Sequence, residues 1–164
     1  IEKRLPVFAA RGWRVSVGKH AHVHFDGDQP GKDSFRFREA GSHEVLISSP
    51  SRWALMREHH GAPEPGLHEL LTHLGACDLV LVEGFKRDAF PKLEIHRAAN
   101  GKTLLYPDDP HIDAVAFDGP RPDVQLPVAD LHTIYASADL PLEAAVSSRA
   151  PGIKTFGPFP EVSC

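Results

Sequence analysis

The sequence predicts an α/β fold, three-layered, with a mostly parallel sheet flanked by helices. Three observations carry that expectation. Short apolar runs at Val15–Val17, Leu79–Val82 and Ile112–Phe117 have the length and continuity of strands covered on both faces. Segments with helical spacing lie between them, as crossover connections require. Polar and charged residues cluster just after the first two runs, at the strand ends where open α/β sheets place ligands.

The elements follow in order. Ile1, Leu5 and Phe8 repeat at i, i+4 and i+7, which predicts a helix over 1–11 ended by Gly12. Pro6 is tolerable there only within a first turn. Trp13–Val17 reads as the strand that follows. Ser34–Ala40 reads as a short helix stopped by Gly41, and Val45–Ile47 as a strand closed by Ser48-Ser49-Pro50. Ser51 is expected to cap a helix over Arg52–Glu58, with Trp53, Leu55 and Met56 in the core. After a loop at Gly61–Gly66, the stripe Leu67, Leu70, Leu71 and Leu74 predicts a further helix stopped by Gly75.

Lys92–Arg97 alternates like a half-exposed strand. Asn100-Gly101 is a hairpin turn signal, so Lys102–Leu105 is expected to return as its partner in an edge hairpin. Gly119–Pro127 holds three prolines and must be loop. Asp130 is placed to cap a last helix over Leu131–Ala138. From Ser147 onward Pro, Gly and Ser dominate, so a domain over 1–146 and a tail over 147–164 are expected.

Composition narrows the function classes. A chain of 164 residues, 41% hydrophobic and 24% charged, describes an ordinary globular domain. No apolar run approaches the roughly 20 residues of a membrane-spanning helix. A net charge of −4 without a basic block argues against nucleic acid as the partner. Cys77 and Cys164 are too few for a disulfide framework or a zinc tetrad, and a cytoplasmic location is expected.

The chemistry concentrates in Val15–Arg38, VSVGKHAHVHFDGDQPGKDSFRFR. His20, His22, His24, Asp26 and Asp28 alternate, and an extended backbone would place all five on one face. Pro30-Gly31-Lys32-Asp33-Ser34 then shapes a loop. A second site signal is Leu79–Val82 running into Glu83-Gly84-Phe85-Lys86. A carboxylate at the end of a buried strand can meet Mg²⁺, and the glycine after it lets backbone approach phosphate.

GKHAHVHFDGDQPGKDSFRFREAG resembles the signature of the MobB family, adapter proteins of molybdopterin-guanine dinucleotide biosynthesis with a P-loop NTPase-like fold. The likeness continues through LVLVEGFKRDAFPKLEIHR to about Leu131. It implies binding of GTP with Mg²⁺, at most weak GTP hydrolysis, association with the guanylyltransferase MobA, contact with molybdopterin, and a homodimer. By the same resemblance Asp26, Asp28, Lys32, Asp33 and Ser34 flank phosphate and metal. Glu83, Gly84 and Lys86 match the family's VEGFK segment, with Glu83 joining Asp26 and Asp28 at the metal. Lys19 and His20 lie on the phosphate side, and Asp118 approaches the base.

No GxxxxGK[ST] occurs, and Gly31-Lys32-Asp33-Ser34 is a poor Walker A match because no apolar strand leads into it. In the resembled family that loop precedes a helix like 1–11. The chain begins at Ile1, and its only methionine is Met56. The expectation is therefore a preceding segment of roughly 15 or more residues, reading apolar strand, Gly-rich loop, then Lys with Thr or Ser.

Two other readings stay open. A P-loop small-molecule kinase, or an enzyme like dethiobiotin synthetase, would use Lys19 or Lys32 on a transferring phosphoryl group. A metal-binding module would use His20, His22, His24 and the two aspartates on Zn²⁺ or Ni²⁺. Three ligands at i, i+2 and i+4 on a strand span about 13 Å, however, which is long for one ion.

Overall fold

A computed structural model describes residues 1–21 and 25–132. They form seven strands and three α-helices: α1 Leu5–Ala10, β1 Val15–Lys19, α2 Asp33–Glu39, β2 Glu44–Ser48, β3 Trp53–Arg57, α3 Leu67–Leu71, β4 Leu79–Glu83, β5 Lys92–Arg97, β6 Ile112–Asp118 and β7 Val128–Asp130. The chain divides into two compact units, one of Ile1–Val15 with Lys86–Cys164, the other of Ser16–Phe85.

In the first unit, β6 is the centre of a three-stranded parallel sheet ordered β5-β6-β7. Its run Ile112-Asp113-Ala114-Val115-Ala116-Phe117 is almost wholly buried, as a central parallel strand should be. Leu131, Leu93 and Ala129 pack around Ala116. Glu2–Arg4 makes a 3₁₀ turn that leads into α1, and Pro6 sits in the first turn, where its missing N–H costs no bond. Phe8 is 1% exposed and stacks on Trp13 at 5.7 Å. The chain leaves α1 through Gly12 at φ +77°.

The expected edge hairpin at 92–105 does not form. β5 pairs in parallel with β6, Lys92 opposite Ile112 and Arg97 opposite Asp118. Asn100-Gly101 does turn the chain, at the end of a 3₁₀ turn over Ala98–Asn100 with Gly101 at φ +60°, but Lys102–Leu105 is not a strand. A buried carboxylate accounts for its path. Glu94, 8% exposed, accepts the Leu105 amide at 2.8 Å and the Tyr106 amide at 3.0 Å, so those donors are satisfied without a ladder. β7 was not anticipated. Asp130 Oδ1 does accept the His132 amide at 2.7 Å, while most of the helix expected over Leu131–Ala138, and the tail, lie outside the described residues.

In the second unit, β1 pairs with β4, and β2 with β3. The helix expected over Arg52–Glu58 is instead β3, antiparallel to β2 with Leu46 opposite Leu55 and Glu44 opposite Arg57. Ser49-Pro50-Ser51-Arg52 is a hairpin turn and not a helix start: the Ser49 amide donates to the Arg52 carbonyl at 2.9 Å, and the Arg52 amide to Ser49 Oγ at 3.2 Å. Trp53 and Leu55 are therefore exposed, at 67% and 47%, and do not belong to the core. α3 ends at Leu71, short of Leu74. No helix among the described residues is long and apolar enough to cross a membrane.

Candidate functional site

β1 and β4 bring the two polar segments together. Gly18 lies against Val82, since a Cβ there would be 3.7 Å from a Val82 methyl, and two residues on the His20 amide donates to the Glu83 carbonyl at 2.9 Å. The side chains that emerge are Lys19 and Glu83, 3.9 Å apart and both largely exposed. Such a pair contributes little to stability. Both side chains are open to solvent at the strand end.

Gly84 closes the strand end. It holds φ +97°, and a Cβ at that position would stand 2.6 Å from His20 Cβ, so only glycine fits. Phe85 follows at φ +50°, strained for an aromatic residue. Its ring meets the His20 imidazole at 4.9 Å, and His20 Nε2 lies 2.9 Å from Glu64 Oε1. His20 is thus directed to Phe85 and Glu64. His22 and His24 lie outside the described residues.

A second cluster forms in the loop and α2 of the same unit, centred on Arg38. Its Nη2 donates to Asp26 Oδ1 at 2.9 Å and its Nη1 to Glu58 Oε1 at 2.8 Å. Its Nε faces Asp28 Oδ2 at 3.5 Å. Asp28 Oδ1 accepts the Gln29 amide at 2.8 Å and the Ser34 hydroxyl at 2.9 Å, while the Asp28 amide donates to Asp26 Oδ1. Burial pushes the Asp28 carboxyl up, but the Gln29 amide, the Ser34 hydroxyl and the Arg38 guanidinium together outweigh it and hold the group below its ordinary value. The Glu58 hydrogen bond, against the burial that opposes it, leads in raising Arg38 further above an already high value.

Lys32 is exposed at the start of α2, and Asp33 pairs with Arg36 at 3.8 Å on the surface. Lys86 and Asp118 belong to the other unit. Lys86 is exposed there, and Asp118 Oδ1 lies 3.4 Å from His132 Nε2. Among the described residues no group of three His, Cys, Asp or Glu is placed to hold a metal ion by itself.

Sequence reasoning missed Arg38, Glu58, Glu64 and Phe85 as parts of these clusters. Arg38 had a visible signal: it lies four residues after Ser34, on the helical face that returns to the loop. Glu58 and Glu64 had none, because their partners are 20 and 44 residues away.

Residues 1–118 match the family described as Molybdopterin guanine dinucleotide synthesis protein B. The chain is 39% identical over 142 residues to the Molybdopterin-guanine dinucleotide biosynthesis adapter protein of Haemophilus influenzae, covering 85% of this chain and 77% of that protein. It is 35% identical over 148 residues to the protein of the same description in Escherichia coli, covering 87% and 83%. A crystal structure of molybdopterin-guanine biosynthesis protein B shares the fold with a TM-score of 0.60 at 22% identity, over 82% of this chain and 85% of that one. A homologue structure from Bacillus stearothermophilus gives 0.53 at 22% identity, over 80% and 77%. The α/β, P-loop NTPase-like fold expected from the sequence is the fold of these structures.

Proposed function

We propose a mechanism from one premise: the chain belongs to the MobB family, molybdopterin guanine dinucleotide synthesis protein B, and so serves molybdopterin-guanine dinucleotide biosynthesis as an adapter protein. In this proposal it binds GTP with Mg²⁺ at the ends of β1 and β4 and assists the guanylyltransferase MobA in the cytoplasm. GTP hydrolysis is slow at most, and molybdopterin is met in the complex with MobA.

The observation that carries the reading is the strand end itself. Lys19 and Glu83 project side by side into solvent, next to Gly84, a position that no residue with a Cβ can fill. An ammonium there attracts phosphate oxygens, and Gly84 lets the chain approach them without a side chain between. Mg²⁺ takes one or two protein carboxylates and completes its shell with phosphate and water, so a lone exposed Glu83 fits an ion delivered with a triphosphate. When bound, that ion neutralises charge on the phosphate oxygens. Glu83 would hold the ion, Lys19 would balance the remaining negative charge, and His20, held by Phe85 and Glu64, fixes the strand end.

A homodimer belongs to the same proposal, on a different surface from the missing edge hairpin. Leu46, Trp53 and Leu55 share one face of the β2–β3 hairpin and are 66%, 67% and 47% exposed. Two strands alone rarely sustain such a face in water. Titration of GTP and of ATP into the full-length protein with Mg²⁺ tests the central reading. Saturable binding with GTP preferred supports it, and binding of neither nucleotide removes it.

A further inference from the structure

We infer that Arg38 is the positioning residue of the loop over 26–34, and that Asp26 and Asp28 are its acceptors and not ligands of a metal ion. One guanidinium, 15% exposed over the Phe35 ring, joins three segments: the loop through Asp26 and Asp28, its own helix α2, and the end of β3 through Glu58. The planar fork of five N–H groups suits that task, since each carboxylate is met from a different edge.

Asp28 Oδ1 is committed to hydrogen bonds and Oδ2 is shut off from solvent. Oδ1 accepts two hydrogen bonds, from Gln29 and Ser34, whereas Oδ2 and Arg38 Nε face each other at 3.5 Å, closed off from solvent and hydrogen-bonded to nothing among the described residues. The Asp28 side chain is only 6% exposed. Asp26 Oδ1 already takes the Arg38 Nη2 and the Asp28 amide. A cation bridging the two side chains would have to enter the closed space between Asp28 Oδ2 and Arg38 Nε and displace a guanidinium that compensates three carboxylates. The loop's outward offering is then the Lys32 ammonium, exposed where α2 begins. Arg38 acts through it, by holding the backbone that presents it. This step rests on the nucleotide-binding reading above. It goes beyond that reading by removing two carboxylates from the metal site and giving a distant arginine a role in affinity.

The Asp28 and Gln29 amides report the arrangement directly, because their acceptors are the carboxylates that Arg38 holds. The experiment measures their hydrogen exchange in the full-length protein, together with GTP affinity across a Mg²⁺ titration, for wild type, Arg38→Lys, Arg38→Met and Asp26→Asn. Both Arg38 variants should speed exchange at these two amides by about tenfold or more while the β6 amides keep their rates. Both should weaken GTP binding, because a lysine's point charge cannot span three carboxylates and methionine carries no charge to compensate them. Asp26→Asn should leave the Mg²⁺ midpoint where it was. The inference is overturned by unchanged amides in Arg38→Met, by full rescue of exchange and affinity in Arg38→Lys, or by a shifted Mg²⁺ midpoint in Asp26→Asn. Should Arg38→Met fail to fold, Glu58→Gln withdraws one anchor and must speed the same amides; no change there overturns the inference as well. If wild type binds no GTP, the nucleotide reading falls alone, and the exchange rates still decide the positioning role.

Discussion

Two glycines of the same unit make a matched experiment. Gly41 holds φ +98° with nothing within 4 Å of a Cβ built on it, whereas Gly84 holds φ +97° with His20 Cβ only 2.6 Å from that atom. Gly41→Ala therefore incurs the backbone strain alone, about 1–2 kcal/mol for an L-residue in the left-handed region. Gly84→Ala incurs the same strain and also an overlap that flexible side-chain ends cannot relieve, because His20 is tied through its amide to the Glu83 carbonyl. Overpacking of this kind costs about 1–3 kcal/mol more. Urea unfolding at constant m-value measures both losses, and exchange of the His20 amide locates the damage. The expected result is a larger loss in Gly84→Ala by about 1–3 kcal/mol, with the His20 amide exposed only in that variant. Equal losses, or a protected His20 amide in Gly84→Ala, would refute the close packing of β1 on the end of β4.

Three further outcomes follow from other parts of the molecule. In dilute, monomeric protein Trp53→Ser should change stability by no more than about 0.5 kcal/mol, since the side chain is 67% exposed; a loss near the ~3–5 kcal/mol of a core aromatic would restore the helical reading of this segment. Glu94→Ala strands the Leu105 and Tyr106 amides and should cost about 2–4 kcal/mol, with Glu94→Gln recovering part of it, and a neutral Glu94→Ala would show that those amides find other acceptors. The Lys92 ammonium at 2.7 Å, and next the His111 amide, hold the Asp109 carboxyl below its ordinary 3.8. A carboxyl lowered by folding stabilises above the unfolded value and loses that contribution as pH falls through the folded one. The gap between wild type and Asp109→Asn should accordingly be largest near neutrality and close below pH 3.8, and a gap that widens on acidification would contradict the pairing.

What was legible in the sequence was what apolar runs and glycines encode locally. Leu79–Val82 and Ile112–Phe117 became β4 and β6 because continuous apolar runs have few alternatives, and Gly12 and Gly41 ended their helices at positive φ. Trp53–Arg57 forms a strand and not the expected helix because Trp53, Leu55 and Met56 fit either period over so few residues, and Ser49 and Arg52 close a turn where Ser51 would cap a helix. The alternation of Trp53 and Leu55 was the correct signal. Asn100-Gly101 failed differently. The turn exists, yet strand pairing is decided by burial of β6 between two parallel neighbours, and Glu94 absorbed the donors a hairpin would have used. At the site, Lys19, His20, Glu83 and Gly84 are neighbours at two strand ends, a proximity the parallel-sheet expectation contained. The grouping of Asp26, Asp28 and Ser34 around Arg38 depends on Glu58, 20 residues away, which no local pattern announces.

The most direct test of the account compares wild type with Glu83→Gln for GTP binding in the full-length protein, with and without Mg²⁺. Glu83 is exposed and, among the described residues, its carboxylate meets Lys19 alone, so the substitution should leave the unfolding midpoint unchanged. The account predicts that wild type gains affinity when Mg²⁺ is added and that Glu83→Gln loses about thirtyfold of it, the effect of removing one charged partner from a partly desolvated ion. A Glu83→Gln protein that folds normally and binds Mg²⁺-GTP as well as wild type would contradict the placement of the nucleotide at the end of β4.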